Sequence, residues 1–152
     1  MDYKLRDDVE IVNILEARNV IKKRKTFYYS HMKEEMNSLI QDIEQAGGHL
    51  AGPLVYSLNN VPKDDLILDI EFIFPIEEDY LEVENTTFSS YFEIPNLIAA
   101  AVDHDFENLT KVAYNELLLT LELNEMEVNT PFYHVFSQDG STKVTILLGY
   151  AY

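Results

Sequence analysis

The sequence predicts an α+β fold built from duplicated β-α-β-β modules that form a curved antiparallel sheet with two main helices on one face. Three observations predict it. The layout of the first half of the chain returns in the second half at a shift of about 77 positions. Each half holds one amphipathic stretch with helical periodicity. The remaining apolar runs alternate in the way that strands do.

The predicted organisation is one domain over residues 1–152, with a first repeat over residues 1–78 and a second over residues 86–152. Between them, residues 77–85 are predicted to form an acidic linker, because Glu77–Glu84 holds five carboxylates in eight residues. A single β-α-β-β unit cannot close its own sheet edges. We therefore expect the two units to pair and to leave a cleft between them.

Six runs are predicted to be strands from their apolar pattern. They are Val9–Ile21, Gly52–Leu58, Leu66–Ile76, Thr86–Val102, Pro131–Ser137 and Lys143–Tyr150. In the run Leu66–Ile76 every even-numbered residue is apolar, which predicts that one face of this strand is buried under a helix. The last run is apolar on both faces, which predicts a central strand.

Two amphipathic stretches, Phe27–Ala46 and Phe106–Leu123, are predicted to be helices. Gly47-Gly48 provides a stop for the first helix, and Asp105 is a natural N-cap for the second. The pair Asp139-Gly140 predicts a hairpin turn before the last strand, because glycine accepts the positive φ that such a turn needs.

Composition narrows the function. The formal net charge is −16, since residues 1–33 hold 8 Lys/Arg and 5 Asp/Glu whereas residues 34–152 hold 3 and 22. This balance argues against binding to nucleic acid or to anionic membranes and favours cationic ligands or basic partners. The basic cluster Lys22–Lys25 is expected to pair with the chain's own carboxylates or with solvent.

Neither cysteines nor a signal peptide nor an apolar run of membrane-spanning length occurs in the sequence. We therefore expect a cytoplasmic protein. There is also no phosphate-binding glycine loop and no nucleophile elbow, so neither an enzymatic activity nor a cofactor is predicted. Asp103-His104-Asp105 looks like a metal cluster, but adjacent residues point in different directions. No metal site is predicted.

Five residues are candidates for ligand contacts. His104 lies where the fourth strand meets the second helix, and Glu71 lies in mid-strand, where a carboxylate needs water or a partner. Tyr56, Tyr91 and Tyr133 fall in predicted regular elements, and tyrosine rings stack on flat or cationic ligands. Each candidate also has a structural alternative. His104 would be a hydrogen-bonded structural histidine, Glu71 would be a solvent-facing carboxylate, and the three tyrosines would pack in the core.

Several segments together resemble the GyrI-like (gyrase-inhibitor-like) effector-binding family, which includes the drug-sensing halves of multidrug transcription regulators. These segments are Gly52–Tyr56, Leu68–Ile76, Val112–Leu121, Pro131-Phe132-Tyr133 and Thr142–Tyr150. The resemblance covers nearly the whole chain. The chain also looks like small stand-alone proteins of low-GC Gram-positive bacteria, since no DNA-binding winged helix is expected before the domain.

The resemblance implies a pocket between the two modules, lined with aromatic side chains and holding flat, cationic compounds. Tyr56, Tyr91 and Tyr133 would line it, and Glu71 would match a family carboxylate. The family's last strand commonly carries a Thr-Glu pair, where this chain has Thr142-Lys143 and Thr145-Ile146. The hydrolase activity of some relatives needs that carboxylate and is therefore not implied here.

The sequence leads to two hypotheses about function. The first is a non-enzymatic binding module that holds a small hydrophobic or cationic ligand between the modules. The alternative is an acidic interaction, inhibitor or accessory protein that docks on a basic protein partner. Either could be a monomer or a homodimer, since an unpaired outer strand can pair with a second copy.

Overall fold

The structure is a computed structural model that describes residues 8–61, 64–138 and 141–151. The predicted Asp139-Gly140 turn lies outside these residues. Within them the elements follow the predicted order, joined by one 3₁₀ turn at Tyr29–His31. They are β1 (Val9–Tyr28), α1 (Met32–Gln45), β2 (Val55–Leu58), β3 (Ile67–Pro75), β4 (Thr87–Val102), α2 (Phe106–Leu123), β5 (Glu127–Phe136) and β6 (Val144–Ala151).

These elements confirm the predicted α+β class with antiparallel strands and two main helices. The chain divides into two compact units, and the division falls within β1 and β4. The α1 unit comprises Glu16–Phe92, and the α2 unit comprises the chain up to Leu15 together with the chain from Glu93 onward. Neither described helix combines the length and apolar character that crossing a bilayer requires.

In the α1 unit β3 is the central strand. It pairs antiparallel with β1, from Val20↔Pro75 to Tyr28↔Ile67, and on its other edge with β2. The even positions of β3 form the predicted apolar face and pack with Leu39 and Ile43 of α1, both fully buried. The amphipathic patterns of β3 and α1 therefore determine which face of the strand packs against which face of the helix.

The start of α1 differs from the prediction. The helix begins at Met32, because β1 continues through Phe27 and Tyr28, which pair with Leu68 and Ile67. The Phe27 ring also stacks on Phe72, with the ring centroids 6.0 Å apart. Aromatic residues favour a pleated, half-buried strand. Pairing with β3 therefore keeps Phe27 and Tyr28 in β1, although their apolar spacing fits the predicted helix.

In the α2 unit β6 is the central strand, between β4 and β5. It is buried from Ile146 to Tyr150, which confirms the central strand predicted from its two apolar faces. The register of β5 shifts between Val128 and Phe132, and there the Gly149 N–H donates to Thr130 Oγ1 at 2.8 Å. A Cβ on Gly149 would lie 2.5 Å from Thr130 Cγ2, so the irregular strand needs a glycine beside it.

Helix α2 has the predicted bounds. Ala113, Leu117 and Leu121 pack on the even face of β6, in a cluster that includes Ile146 and Leu148. Asp105 occupies the N-cap position, but its side chain accepts no backbone hydrogen bond. It accepts one from the Asn108 side chain instead, because the backbone of Asp105 is in the left-handed region with φ 41°.

Candidate functional site

Tyr56 and Glu71 lie on opposite faces of the α1 unit's strands. Tyr56 pairs with Phe72, and its ring meets the Phe72 ring edge-on on the face that packs against α1. Burial raises the pKa of its hydroxyl. Glu71 is half-buried and points to the other face, between Arg24 and Ser57 on the flanking strands. Within this unit the two side chains do not line one surface.

Tyr91 lies in β4, close to where the α1 unit ends. Its side chain is 44% exposed, and its hydroxyl donates to Glu16 Oε2 at 2.6 Å. A hydrogen bond to an ionised carboxylate is among the stronger kinds. The ring is therefore held in place while much of it remains accessible to solvent.

His104 and Tyr133 lie in the α2 unit. His104 follows the last paired residue of β4, Val102, and is exposed, with Nδ1 2.5 Å from Asp103 Oδ1. That hydrogen bond lowers the pKa of Asp103. Tyr133 pairs with Leu147 in the middle of β5 and is buried on the face turned away from α2. As ligand contacts, all five residues remain a prediction.

The structure also places a groove beside α1 that the sequence analysis did not predict. Its volume is about 290 Å³, and we call it the α1 groove. The segment after β3 runs back past the C-terminal end of α1, and the groove lies where the two meet. The lining residues are Lys23, Asp42, Gln45, Ala46, Glu82, Val83, Glu84 and Asn85.

The electrostatics of the α1 groove favour a cation. Among the described residues that line it, Asp42, Glu82 and Glu84 contribute three carboxylates, against the one ammonium group of Lys23. The end of α1 adds the negative pole of the helix dipole. No basic residue in the last turn of α1 offsets that pole.

The acidic run Glu77–Glu84 is the feature of the sequence that indicates the carboxylates of this groove. The sequence does not show, however, that this run folds onto α1. Val83 is buried, and both Val83 and Leu81 pack in the α1 core cluster, whereas Glu82 and Glu84 are exposed. Gly48 makes room for this arrangement, because a Cβ there would lie 2.5 Å from Leu81 Cδ2. The predicted linker is thus attached to the α1 unit through its apolar residues.

The basic cluster pairs largely with the chain itself, as expected. Arg24 donates two hydrogen bonds to Asp69, at 2.9 and 2.7 Å, and these lower the pKa of Asp69. Lys25 Nζ lies 2.8 Å from Glu35. Lys22 lies over the Phe92 ring at 5.4 Å. The structure therefore confirms internal pairing for Arg24 and Lys25.

A buried polar pair in the α2 unit was not predicted. His134 is only 4% exposed, and its Nε2 lies 2.7 Å from the Tyr114 hydroxyl. Burial lowers the pKa of His134 to about 3, so the imidazole is neutral near pH 7. The Tyr114 ring stacks on Phe132 at 4.1 Å. The pair lies on the face of β5 that packs against α2.

Comparison with solved structures identifies the class of fold. The chain resembles EcmrR in the cryo-EM structure of an EcmrR–DNA complex, with TM-score 0.73 and 14% identity, over 94% of this chain and 57% of EcmrR. It also resembles the crystal structure of the EcmrR C-terminal domain, with TM-score 0.68 and 16% identity, over 94% and 98% of the two chains. The chain therefore shares the fold of the EcmrR C-terminal domain, which is consistent with the expected GyrI-like fold.

A hydrolase from Listeria innocua is similar as well, with TM-score 0.62 and 10% identity, over 98% of this chain and 94% of that one. The chain belongs to the DUF5085 family, described as a domain of unknown function, whose model matches residues 16–147. No curated protein matches the sequence. At these identities the solved structures establish the fold and leave the ligand open.

Proposed function

We propose that this chain is a non-enzymatic binding module and that its ligand is a small organic cation bound in the α1 groove. The observation that carries the proposal is the charge of that groove, with three carboxylates and a helix C-terminus against one lysine. The fold shared with the EcmrR C-terminal domain supports a binding role. The acidic composition of the chain supports a cation over an anion.

The size of the α1 groove limits the ligand. A volume of about 290 Å³ is near the lower end of the range for small-molecule sites. A polyamine, a guanidinium compound or a small quaternary ammonium compound fits this size. Each also carries the positive charge that Asp42, Glu82 and Glu84 favour.

The test is calorimetric titration of the full-length chain with putrescine, agmatine and choline, with inositol as a neutral control. We expect at least one of the cations to bind and inositol not to bind. Glu82→Gln/Glu84→Gln should weaken binding several-fold, because two of the three carboxylates lose their charge. Lys23→Gln should strengthen binding, because it removes the only cation among the described residues that line the groove.

A matched control separates the α1 groove from the charge of the whole chain. Glu93→Gln/Glu127→Gln removes the same two charges from exposed strand positions outside the groove and should leave binding unchanged. Equal weakening by both double variants, or weakening by Lys23→Gln, would count against the groove as the site. Absence of binding by all three cations would overturn the proposal.

A second candidate function, docking on a basic protein partner, is favoured by a strip on α2. Val112, Leu119 and Leu123 recur at spacings of seven and four, so they share one side of the helix. They are 50%, 43% and 50% exposed, and Glu116 lies between them along the same side. An exposed aliphatic strip beside a carboxylate suits a partner surface of mixed apolar and basic character.

Pull-down from a lysate at low and at high salt tests this second candidate. A basic protein should be retained at low salt, released at high salt, and lost in Leu119→Ser/Leu123→Ser. The α1 groove is unchanged in that variant, so cation binding should persist. Retention of the same partner by the variant would exclude the α2 strip, the side of α2 that carries Val112, Leu119 and Leu123, as the docking surface.

A further inference from the structure

The segments that carry His49 and Glu77-Glu78 are joined side by side, although His49 and Glu77 are 28 positions apart in the sequence. Leu50 and Ile76 form an isolated antiparallel bridge. Next to it the Glu77 N–H donates to the His49 carbonyl at 2.9 Å. The His49 N–H donates to Glu78 Oε1 at 2.8 Å. Hydrogen bonds therefore define the backbone positions of His49 and Glu77, and the Glu78 side chain is held by the His49 backbone.

The side chains of these residues converge on one point at the surface. His49 Nδ1 lies 2.8 Å from Glu78 Oε2, and one ligand atom from each of His49, Glu77 and Glu78 lies within 4.8 Å of the others. Among the described residues this is the only group of three or more His, Asp or Glu side chains that meets this spacing.

We propose that His49 Nδ1 and the carboxylates of Glu77 and Glu78 form a zinc site, with water as the fourth ligand. Zinc binds imidazole nitrogen and carboxylate oxygen, and three protein ligands with one open position is a recurrent arrangement. Two ligand atoms in a tetrahedral zinc site lie about 3.4 Å apart, because zinc bonds to nitrogen and oxygen are about 2.0–2.2 Å long. Side-chain rotations of His49 and Glu77, which are both exposed, would bring the three ligand atoms, now within 4.8 Å of one another, to that separation.

The proposed zinc site is accessible from solvent. The His49 side chain is 70% exposed and that of Glu78 is 26% exposed, so zinc can enter without opening the fold. It would replace the His49–Glu78 side-chain hydrogen bond and leave the Glu78 Oε1 bond to the His49 backbone in place. The site shares no residue with the α1 groove, so either proposal can fail without the other.

The test is titration of the untagged, EDTA-treated full-length chain with ZnCl₂ by calorimetry. We expect one zinc ion per chain. His49→Ala and Glu77→Gln should each lower the affinity by at least about tenfold, since even the loss of an outer-shell partner typically costs that much. His31→Ala, which removes an exposed histidine outside the group, should leave the affinity unchanged.

Glu77→Gln is the decisive variant, because it keeps both hydrogen bonds between His49 and Glu78 and so leaves the local fold intact. Binding of Co²⁺, followed by its visible absorption, should show the same dependence on His49 and Glu77. Absence of saturable zinc binding would overturn the proposal. Zinc binding that Glu77→Gln leaves unchanged, or that His31→Ala weakens equally, would overturn it as well.

Discussion

Among the single residues, His134 shows how burial changes the properties of a titratable group. Its imidazole is paired with the Tyr114 hydroxyl and enclosed in the α2 unit. The sequence marks His134 only as a histidine in a predicted strand. Its burial depends on Ile146 across the ladder and on the α2 helix that covers this face, and no local pattern contains that information.

We expect His134 to make the protein less stable in acid. The pKa is about 3 in the folded state and about 6.5 in the unfolded chain. Below pH 6.5 the unfolded chain takes up a proton that the folded chain does not. The free energy of unfolding should therefore fall by about 3 kcal/mol between pH 6.5 and pH 4. Urea unfolding at a series of pH values measures it.

His134→Asn should flatten this dependence on pH, because it removes the titrating group. Asp69, Glu78 and Asp103, whose pKa values are lowered in the folded state, also reduce stability in acid. They do so equally in both proteins and cancel in the difference. Parallel curves for the wild type and His134→Asn would contradict the assignment.

The two adjacent glycines after α1 illustrate what sequence can say of a single position. Gly47-Gly48 predicted the end of the helix, and Gly47 does adopt a positive φ of 91°. Gly48 has a different role, since its missing side chain leaves room for Leu81. The first role is local and readable from sequence, whereas the second depends on a residue that is distant in the chain.

At the level of elements, helical periodicity predicted α2 to its exact bounds and placed the start of α1 five residues too early. The two helices differ because only one of the predicted stretches competes with a strand. None of the strand ladders among the described residues includes Phe106–Leu123, whereas Phe27 and Tyr28 complete a ladder with β3. A strand partner from a later part of the chain thus decided the boundary.

Substitutions in α2 test which side of the helix carries stability. Leu117 is fully buried, and Leu117→Ala should lower the free energy of unfolding by about 2–4 kcal/mol through lost burial and a cavity. Leu119 is 43% exposed, and Leu119→Ala should cost less than about 1 kcal/mol. Urea unfolding of both variants measures the contrast. Similar losses in the two would mean that the α2 strip is covered in solution.

Over the whole molecule, the excess of carboxylates should oppose folding through self-repulsion. The net charge is −16. In the ion pairs Arg24–Asp69 and Lys25–Glu35 the basic side chains are 59% and 45% exposed, so water screens both pairs and they contribute little. Raising NaCl from about 0.02 M to about 0.5 M shortens the screening length from about 20 Å to about 4 Å. The melting temperature should rise by several degrees, as scanning calorimetry would show.

KCl should reproduce the effect of NaCl, because screening depends on ionic strength. A melting temperature that falls with added salt would mean that the ion pairs outweigh the repulsion. An effect specific to one cation would indicate a bound ion.

The sequence alone determined the α+β class, the duplicated order of elements and the apolar faces of β3 and β6. These follow from side-chain periodicity, which is a property of neighbouring residues. The tertiary structure alone decided that Leu81 and Val83 hold the acidic segment against α1. It also decided that His49 meets Glu78 and that His134 is enclosed. Each of these contacts joins residues far apart in the chain, and their meeting depends on the path of the backbone between them.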